Sequence, residues 1–189
     1  MTHSNVLEDE DTSRLFTAQL VLRPMEDRDA KSMAALLSEW EVVKQASTVP
    51  HPYDERSALT WIARVRRRHL AGRQFAFAIT RPGSDELIGS VALTVLPEPG
   101  GHIGEVGYWL GRPFWGQGYG SEAVEALTDF GLNALSLSRI EAVVFKDNKS
   151  SCRVLDRCGY RLERTEVRQY PDRGGRRKIL LYSISQTSR

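Results

Sequence analysis

No apolar run in this chain approaches the ~18–20 residues that span a bilayer. Its acidic, polar start also lacks the apolar core of a signal peptide. A cytoplasmic setting with no membrane partner is the expectation. Cysteine is scarce. Cys152 and Cys158 stand six apart, which puts them on different faces of a helix, and none of the four histidines pairs with either. Two reduced thiols and no metal site follow. An excess of one charge sign is missing too. The 26 Lys and Arg against 24 Asp and Glu leave a net charge of +2, too little to argue for nucleic acid. Neither an internal repeat nor a low-complexity block occurs. The 189 residues suffice for one well-buried core. Residues 1–14, with Glu8-Asp9-Glu10-Asp11, read as a disordered acidic leader, and 15–189 as a single domain.

Glycine, by contrast, is concentrated where it matters. The run Phe114-Trp115-Gly116-Gln117-Gly118-Tyr119-Gly120-Ser121-Glu122-Ala123 follows a strand-like segment, Val106 to Leu110, and opens a helix-like one, Glu122 to Leu135. Three glycines at alternate positions let a bulky anion approach backbone N–H groups closely. Those donors would sit at a helix N-terminus, where about half a unit of positive charge favours phosphate. The spacing excludes two nucleotide motifs. Gly116-x-Gly118-x-Gly120 is not G-x-G-x-x-G, and no Gly-Lys-Ser/Thr follows it.

The rest of the chain alternates strand and helix signals. Leu20 to Arg23 reads as a strand stopped by Pro24. Asp27 or Asp29 can cap a helix carrying Met33, Leu36, Leu37 and Trp40 at helical spacing. Asp54 can cap a second helix through Leu59, Ile62, Val65 and Leu70. Strands follow at Phe75 to Thr80, Leu87 to Leu96 and Glu105 to Leu110, the first two joined by turn chemistry at Arg81 to Glu86. Beyond the glycine turn come a helix ending near Leu137, a strand at Ile140 to Phe145 and a helix at Ser150 to Arg157. Strands Tyr160 to Tyr170 and Arg177 to Ile184 finish the chain. Trp40 and Trp61 read as core.

With its flanks, the turn resembles the acetyl-CoA loop of the GNAT acyltransferase superfamily, Gln/Arg-x-x-Gly-x-Gly/Ala, with Trp115 in place of the first residue. Leu20-Val21-Leu22-Arg23-Pro24, Pro50-His51-Pro52-Tyr53, Gly107-Tyr108-Trp109-Leu110 and Asn148-x-x-Ser151 are similar to the ribosomal-protein alanine N-acetyltransferase branch. The resemblance covers residues 15–185. It implies a mixed α/β fold with a mostly antiparallel central sheet, a splayed parallel strand pair and about four flanking helices. It also implies acetyl transfer from acetyl-CoA to a primary amine by direct attack in a ternary complex. The acceptor it favours is a protein N-terminal α-amine. A small-molecule amine and a non-catalytic acyl-CoA-binding module are the alternatives. The sequence leaves a homodimer open.

Residue by residue, the resemblance gives Tyr108, Trp109 and Leu110 to pantetheine as an added-strand partner, with Trp115, Gly116, Gln117, Gly118, Tyr119, Gly120 and Ser121 at the pyrophosphate. Glu105 is the first candidate base, since a carboxylate bordering an apolar cleft gains basicity by desolvation. Asn148 is an ordinary helix cap; the resemblance adds contact with pantetheine, and sets the Ser151 hydroxyl near the leaving sulfur. Tyr160 and Tyr182 are runner-up acids. Cys152 has no His–Asp partner set beside it, which favours direct attack over a covalent intermediate. His51 and Tyr53 are expected to border the acceptor. The basic stretches Arg64 to His69 and Arg161 to Lys178 read as solvated faces, or as contacts to CoA phosphates or an acidic acceptor. Lys178 stands where the branch often has aspartate.

Overall fold

Alternating apolar residues build one eight-stranded sheet, in the spatial order β1-β2-β3-β4-β5-β6-β8-β7. The structure, a computed structural model, describes residues 14–99 and 101–186. Apart from Arg14, the expected acidic leader therefore lies outside the described residues. The strands are β1 (Leu15–Phe16), β2 (Val21–Pro24), β3 (Gln74–Arg81), β4 (Ser84–Glu98), β5 (Gly101–Leu110), β6 (Arg139–Phe145), β7 (Arg161–Tyr170) and β8 (Gly175–Ser185). All neighbours run antiparallel except β5 and β6.

The helices are α1 (Asp29–Leu37), α2 (Trp40–Val43), α3 (Glu55–Leu70), α4 (Tyr119–Asp129) and α5 (Lys149–Arg157). On one sheet face α4 and α5 cover a core that includes Leu93, Val106, Leu127, Ile140 and Leu155. On the other, α1 to α3 cover a smaller core around Met33, Leu37, Ile62, Val65 and Ala78. Helix α2 is a single extra turn between the two predicted N-terminal helices. Its Trp40 is 48% exposed rather than core; the extended Glu39 breaks the helical period, and Val42 and Val43 turn to the core in its place.

Local chemistry explains most boundaries. Asp54 accepts from the Ser57 N–H at 2.7 Å and caps α3. Neither Asp27 nor Asp29 caps α1, whose N-cap is Arg28 with no side-chain bond. Asp29 is instead buried against Arg23, whose two terminal nitrogens donate to it at 2.9 and 2.7 Å. Arg23 also donates to the Asp85 carbonyl at 2.8 Å. One guanidinium thus joins β2, α1 and the β3–β4 turn. Glu122, in the first turn of α4, accepts from Thr17 Oγ1 at 2.5 Å and from the Gln19 N–H at 2.6 Å. That contact fastens the first strand pair to the helix that follows the glycine turn.

Candidate active site

Strands β5 and β6 pair only from Ile103–Glu105 to Arg139–Glu141. Beyond that point β5 stays with β4 to Leu110, and β6 stays with β8 to Phe145. A wedge opens between them. Two bonds fix which backbone groups face it. Gly111 N–H donates to the Ile88 carbonyl at 2.9 Å, and Ser138 N–H donates to the His102 carbonyl at 3.3 Å. In an alternating ladder, the odd residues of β5 then address β4 and the even ones address β6. Backbone groups of Tyr108 and Leu110 therefore point into the wedge, where an extended ligand can pair with them. Those of Trp109 point to β4, which corrects the expectation that all three would serve; the side chain of Trp109 still lines the cleft.

A cleft of about 1120 Å³ runs through the wedge. That slightly exceeds the ~300–1,000 Å³ of a usual small-molecule site, so two substrates have room to meet. At one end stands the glycine turn. Gly116 and Gly118 have φ of 77° and 86°, values an L side chain adopts only under strain. Helix α4 begins at Tyr119, three residues earlier than the sequence suggested, because Gly118 itself is the N-cap. Its first helical bond runs from Glu122 N–H to the Gly118 carbonyl, so the N–H groups of Tyr119, Gly120 and Ser121 precede any helical acceptor. Trp115 donates its indole N–H to the Leu110 carbonyl at 2.8 Å, closing the turn back onto β5. Gln117 donates to the Pro113 carbonyl at 3.1 Å, which bends its side chain back toward the start of the turn.

Ser151 and Tyr108 meet across the wedge. Their hydroxyl oxygens lie 2.6 Å apart, a pair invisible in sequence because 43 residues separate them. Burial pushes the Tyr108 phenol well above its ordinary range despite the opposing bond to Ser151, so it stays protonated. Asn148 caps α5 by accepting from the Ser151 N–H at 3.0 Å, which leaves its amide nitrogen for a ligand. Tyr160 instead bonds Thr128 Oγ1 at 2.7 Å beneath α4. Tyr182 is buried, with its phenol pushed up to about 12, chiefly by that burial. Neither Tyr160 nor Tyr182 is on the cleft wall.

Glu105 stands in mid-strand rather than at a strand start, level with Thr94 on β4 and Glu141 on β6. The pairing begins at Gly101, where Gly101, His102 and Gly104 carry too little apolar pattern to be read as strand. Glu105 reaches solvent through the open cleft. The surrounding walls nevertheless desolvate its carboxyl and hold it above the usual range; Arg168 pulls it down and Glu141 adds to the rise. Such a group can take a proton from an ammonium.

The opposite end of the cleft is bounded by α3 and by the segment 44–50. Tyr53 is buried on that wall, its phenol pushed up to about 12 by burial, with Arg64 pulling the other way. His51 is not on the wall; it is exposed and packs against Trp40 with ring centroids 5.2 Å apart. A residue missed in the sequence, Arg173, fastens this segment. It lies in the turn between β7 and β8, 5% exposed, and donates to the carbonyls of Val43, Ala46 and Val49. Cys152 and Cys158 are both free, and Cys158 is buried with its Sγ donating to the Ser121 carbonyl at 3.3 Å. Among the described residues, no group of three or more His, Cys, Asp or Glu could hold a metal ion. No helix among them is long and apolar enough to cross a membrane.

A splayed strand pair with a glycine turn and a helix N-terminus at its mouth is an arrangement suited to an acyl-CoA donor. Residues 19–161 match the family model of the acetyltransferase (GNAT) domain, and the chain belongs to that family. It is 35% identical over 162 residues to the uncharacterised N-acetyltransferase p20 of Bacillus licheniformis, covering 86% of this chain and 89% of that protein. It is 30% identical over 160 residues to the ribosomal protein uS5-alanine N-acetyltransferase of Escherichia coli K12, covering 79% of each. The fold of Mycobacterium smegmatis RimJ, solved with CoA-disulfide, matches with a TM-score of 0.81 at 24% identity, over 89% of this chain and 82% of that one. The protein is thus an acetyl-CoA-dependent N-acetyltransferase of the GNAT type.

Proposed function

We propose that this enzyme acetylates a protein N-terminal α-amine by direct attack on acetyl-CoA held in the β5–β6 wedge, in a reducing cytoplasmic setting. The observation that carries the proposal is the alignment of three groups along one cleft: Glu105, the Tyr108–Ser151 pair and the N-terminus of α4. The uS5-alanine relative favours the N-terminal acceptor over a small amine.

Pantetheine extends along β5 and takes its hydrogen bonds from the backbone of Tyr108 and Leu110 and from the Asn148 amide. The pyrophosphate rests on the N–H groups of the turn from Gly116 to Ser121, where the α4 dipole favours it. Glu105, directly or through one water, takes a proton from the acceptor ammonium. An α-amine with a pKa near ~8 needs only a modest base. The free amine attacks the thioester carbonyl carbon, and the C–N bond forms as the C–S bond breaks. The nitrogen of the new C–N bond still carries one proton too many; that proton passes through the Ser151–Tyr108 hydroxyl pair to the departing thiolate, so both hydroxyls end protonated. Tyr53 shapes the acceptor end, and Trp109 walls it.

The test is acetyl-CoA turnover against a panel of N-terminal peptides and small amines, read as free thiol and as acetylated product. Peptide acetylation is expected. Turnover with small amines alone would overturn the N-terminal reading. Binding of acetyl-CoA without turnover on any amine would point to a binding module.

A further inference from the structure

Helix α3 turns a ridge of cations toward the acceptor end of the cleft. Arg56, Thr60, Arg64 and Arg68 recur at intervals of four, which places them on one helix face. All four line the cleft. The apolar residues of the same helix, Ala58, Ile62 and Val65, face the core. The basic stretch of the sequence thus divides in two. Arg66, off the ridge, donates to Asp27 at 2.8 Å. Arg56, Arg64 and Arg68 make no ion pair within 4.0 Å among the described residues.

The cleft offers these arginines little opposing charge. Glu41, on the facing segment, is held by Lys44 at 2.6 Å. Asp54, the cap of α3, lies close enough to Arg56 for that cation to help lower its carboxyl. Glu105, across the sheet, is the other carboxylate on the cleft wall besides Glu41. Arg68 lies nearest to it along the chain path: its carbonyl accepts from the Arg73 N–H at 2.8 Å, and Gln74, the next residue, donates to Thr94, the register neighbour of Glu105. Arg64 lies close enough to Tyr53 on the cleft wall to act on its phenol. The acceptor half therefore presents the unpaired carboxylate of Glu105 and, leading away from it, the guanidinium groups of Arg68 and Arg64, with Arg56 beside Asp54 at the far end. Arg68 and Arg64 have no ion-pair partner within 4.0 Å among the described residues. That polarity matches a molecule with an ammonium at one end and anionic groups behind it. Unpaired cations in a walled cleft focus their field on such a ligand, and guanidinium suits carboxylate through paired N–H donors.

We propose that the acceptor is anionic beyond its amine. On the N-terminal reading above, on which this rests, it is a protein N-terminus with Asp or Glu in its first few residues. From Arg56 to Arg68 the helix rises about 18 Å at ~1.5 Å per residue. An extended peptide at ~3.3 Å per residue spans that distance in about five to six residues. The acidic positions belong within that span.

The experiment compares peptides that share one N-terminal residue and carry Glu, Gln or Lys at the next positions. Each is assayed with the wild-type enzyme and with Arg64→Glu/Arg68→Glu, alongside aspartate and asparagine as small amines. Acetyl-CoA affinity and Tm confirm that the variant is folded and loaded. Wild type is expected to favour the Glu peptide over the Gln peptide by about tenfold in KM, the effect of two partly screened ion pairs. In the variant that preference is expected to reverse toward the Lys peptide, which a merely structural role could not produce. Equal use of all peptides by wild type, or a preference that survives charge reversal, would overturn the inference and leave the N-terminal reading standing. Acetylation of aspartate over asparagine with no peptide turnover, lost in the variant, would support the anionic acceptor and overturn the N-terminal reading.

Discussion

Glu105 makes opposite contributions to activity and to stability. Its carboxyl titrates above the usual range because the cleft walls disfavour the charged form. As a base it works deprotonated, so kcat/KM should fall as pH drops through that raised value, above the ordinary carboxylate range. Glu105→Gln should remove this acid limb and lower kcat by about 10²–10⁴-fold. The raised value also means that folding favours the protonated form. That stability is present at low pH and lost as pH rises through the folded-state value. At neutral pH the Gln variant should therefore melt no lower than wild type, which a thermal scan checks. The acid side behaves as a unit. Tyr108→Phe and Ser151→Ala should each depress kcat, and the double variant should lose little more than the worse single one. Losses that multiply would separate the two hydroxyls. The glycine turn, Asn148 and Asp54 were legible in sequence because capping and turn chemistry act over three or four residues. The Tyr108–Ser151 pair was not, since only the splay of two strands brings it together. Glu105 was found as a residue but misplaced along its strand.

At the scale of elements, two buried arginines decide how the site is held. Arg23 and Asp29 are 1% and 3% exposed and tie β2, α1 and the β3–β4 turn. Asp29→Ala leaves a buried guanidinium without its charge partner, and should cost about 3–5 kcal/mol by chemical denaturation. Arg173 holds α2 and the segment after it by three carbonyls rather than by a carboxylate. Arg173→Met should raise the KM for the acceptor and leave the Kd for acetyl-CoA unchanged. Hydrogen exchange should quicken over 43–49 in the same variant. An equal loss of donor affinity would mean that Arg173 supports the whole fold instead. Neither arginine could be singled out from sequence. Arg173 sits in a basic hairpin that reads as a solvated face, and Asp29 stands where a helix cap is expected. Burial decides both, and burial depends on elements distant in the chain.

For the whole molecule, a mostly antiparallel sheet with one splayed parallel pair was legible through the motifs that agree along residues 15–185, whereas the spatial order of the strands, the short strand at Leu15–Phe16 and the charge ridge of α3 needed the fold. The central claim is that one cleft, passing between β5 and β6, joins the thioester to an α-amine. Its most direct measurement is a turnover assay on an N-terminal peptide, following free CoA thiol and peptide mass together. The account predicts one thiol released for each acetylated N-terminus, with a blocked N-terminus inert. Thiol release with the peptide left unmodified, or equal modification of the blocked peptide through a lysine, would contradict it.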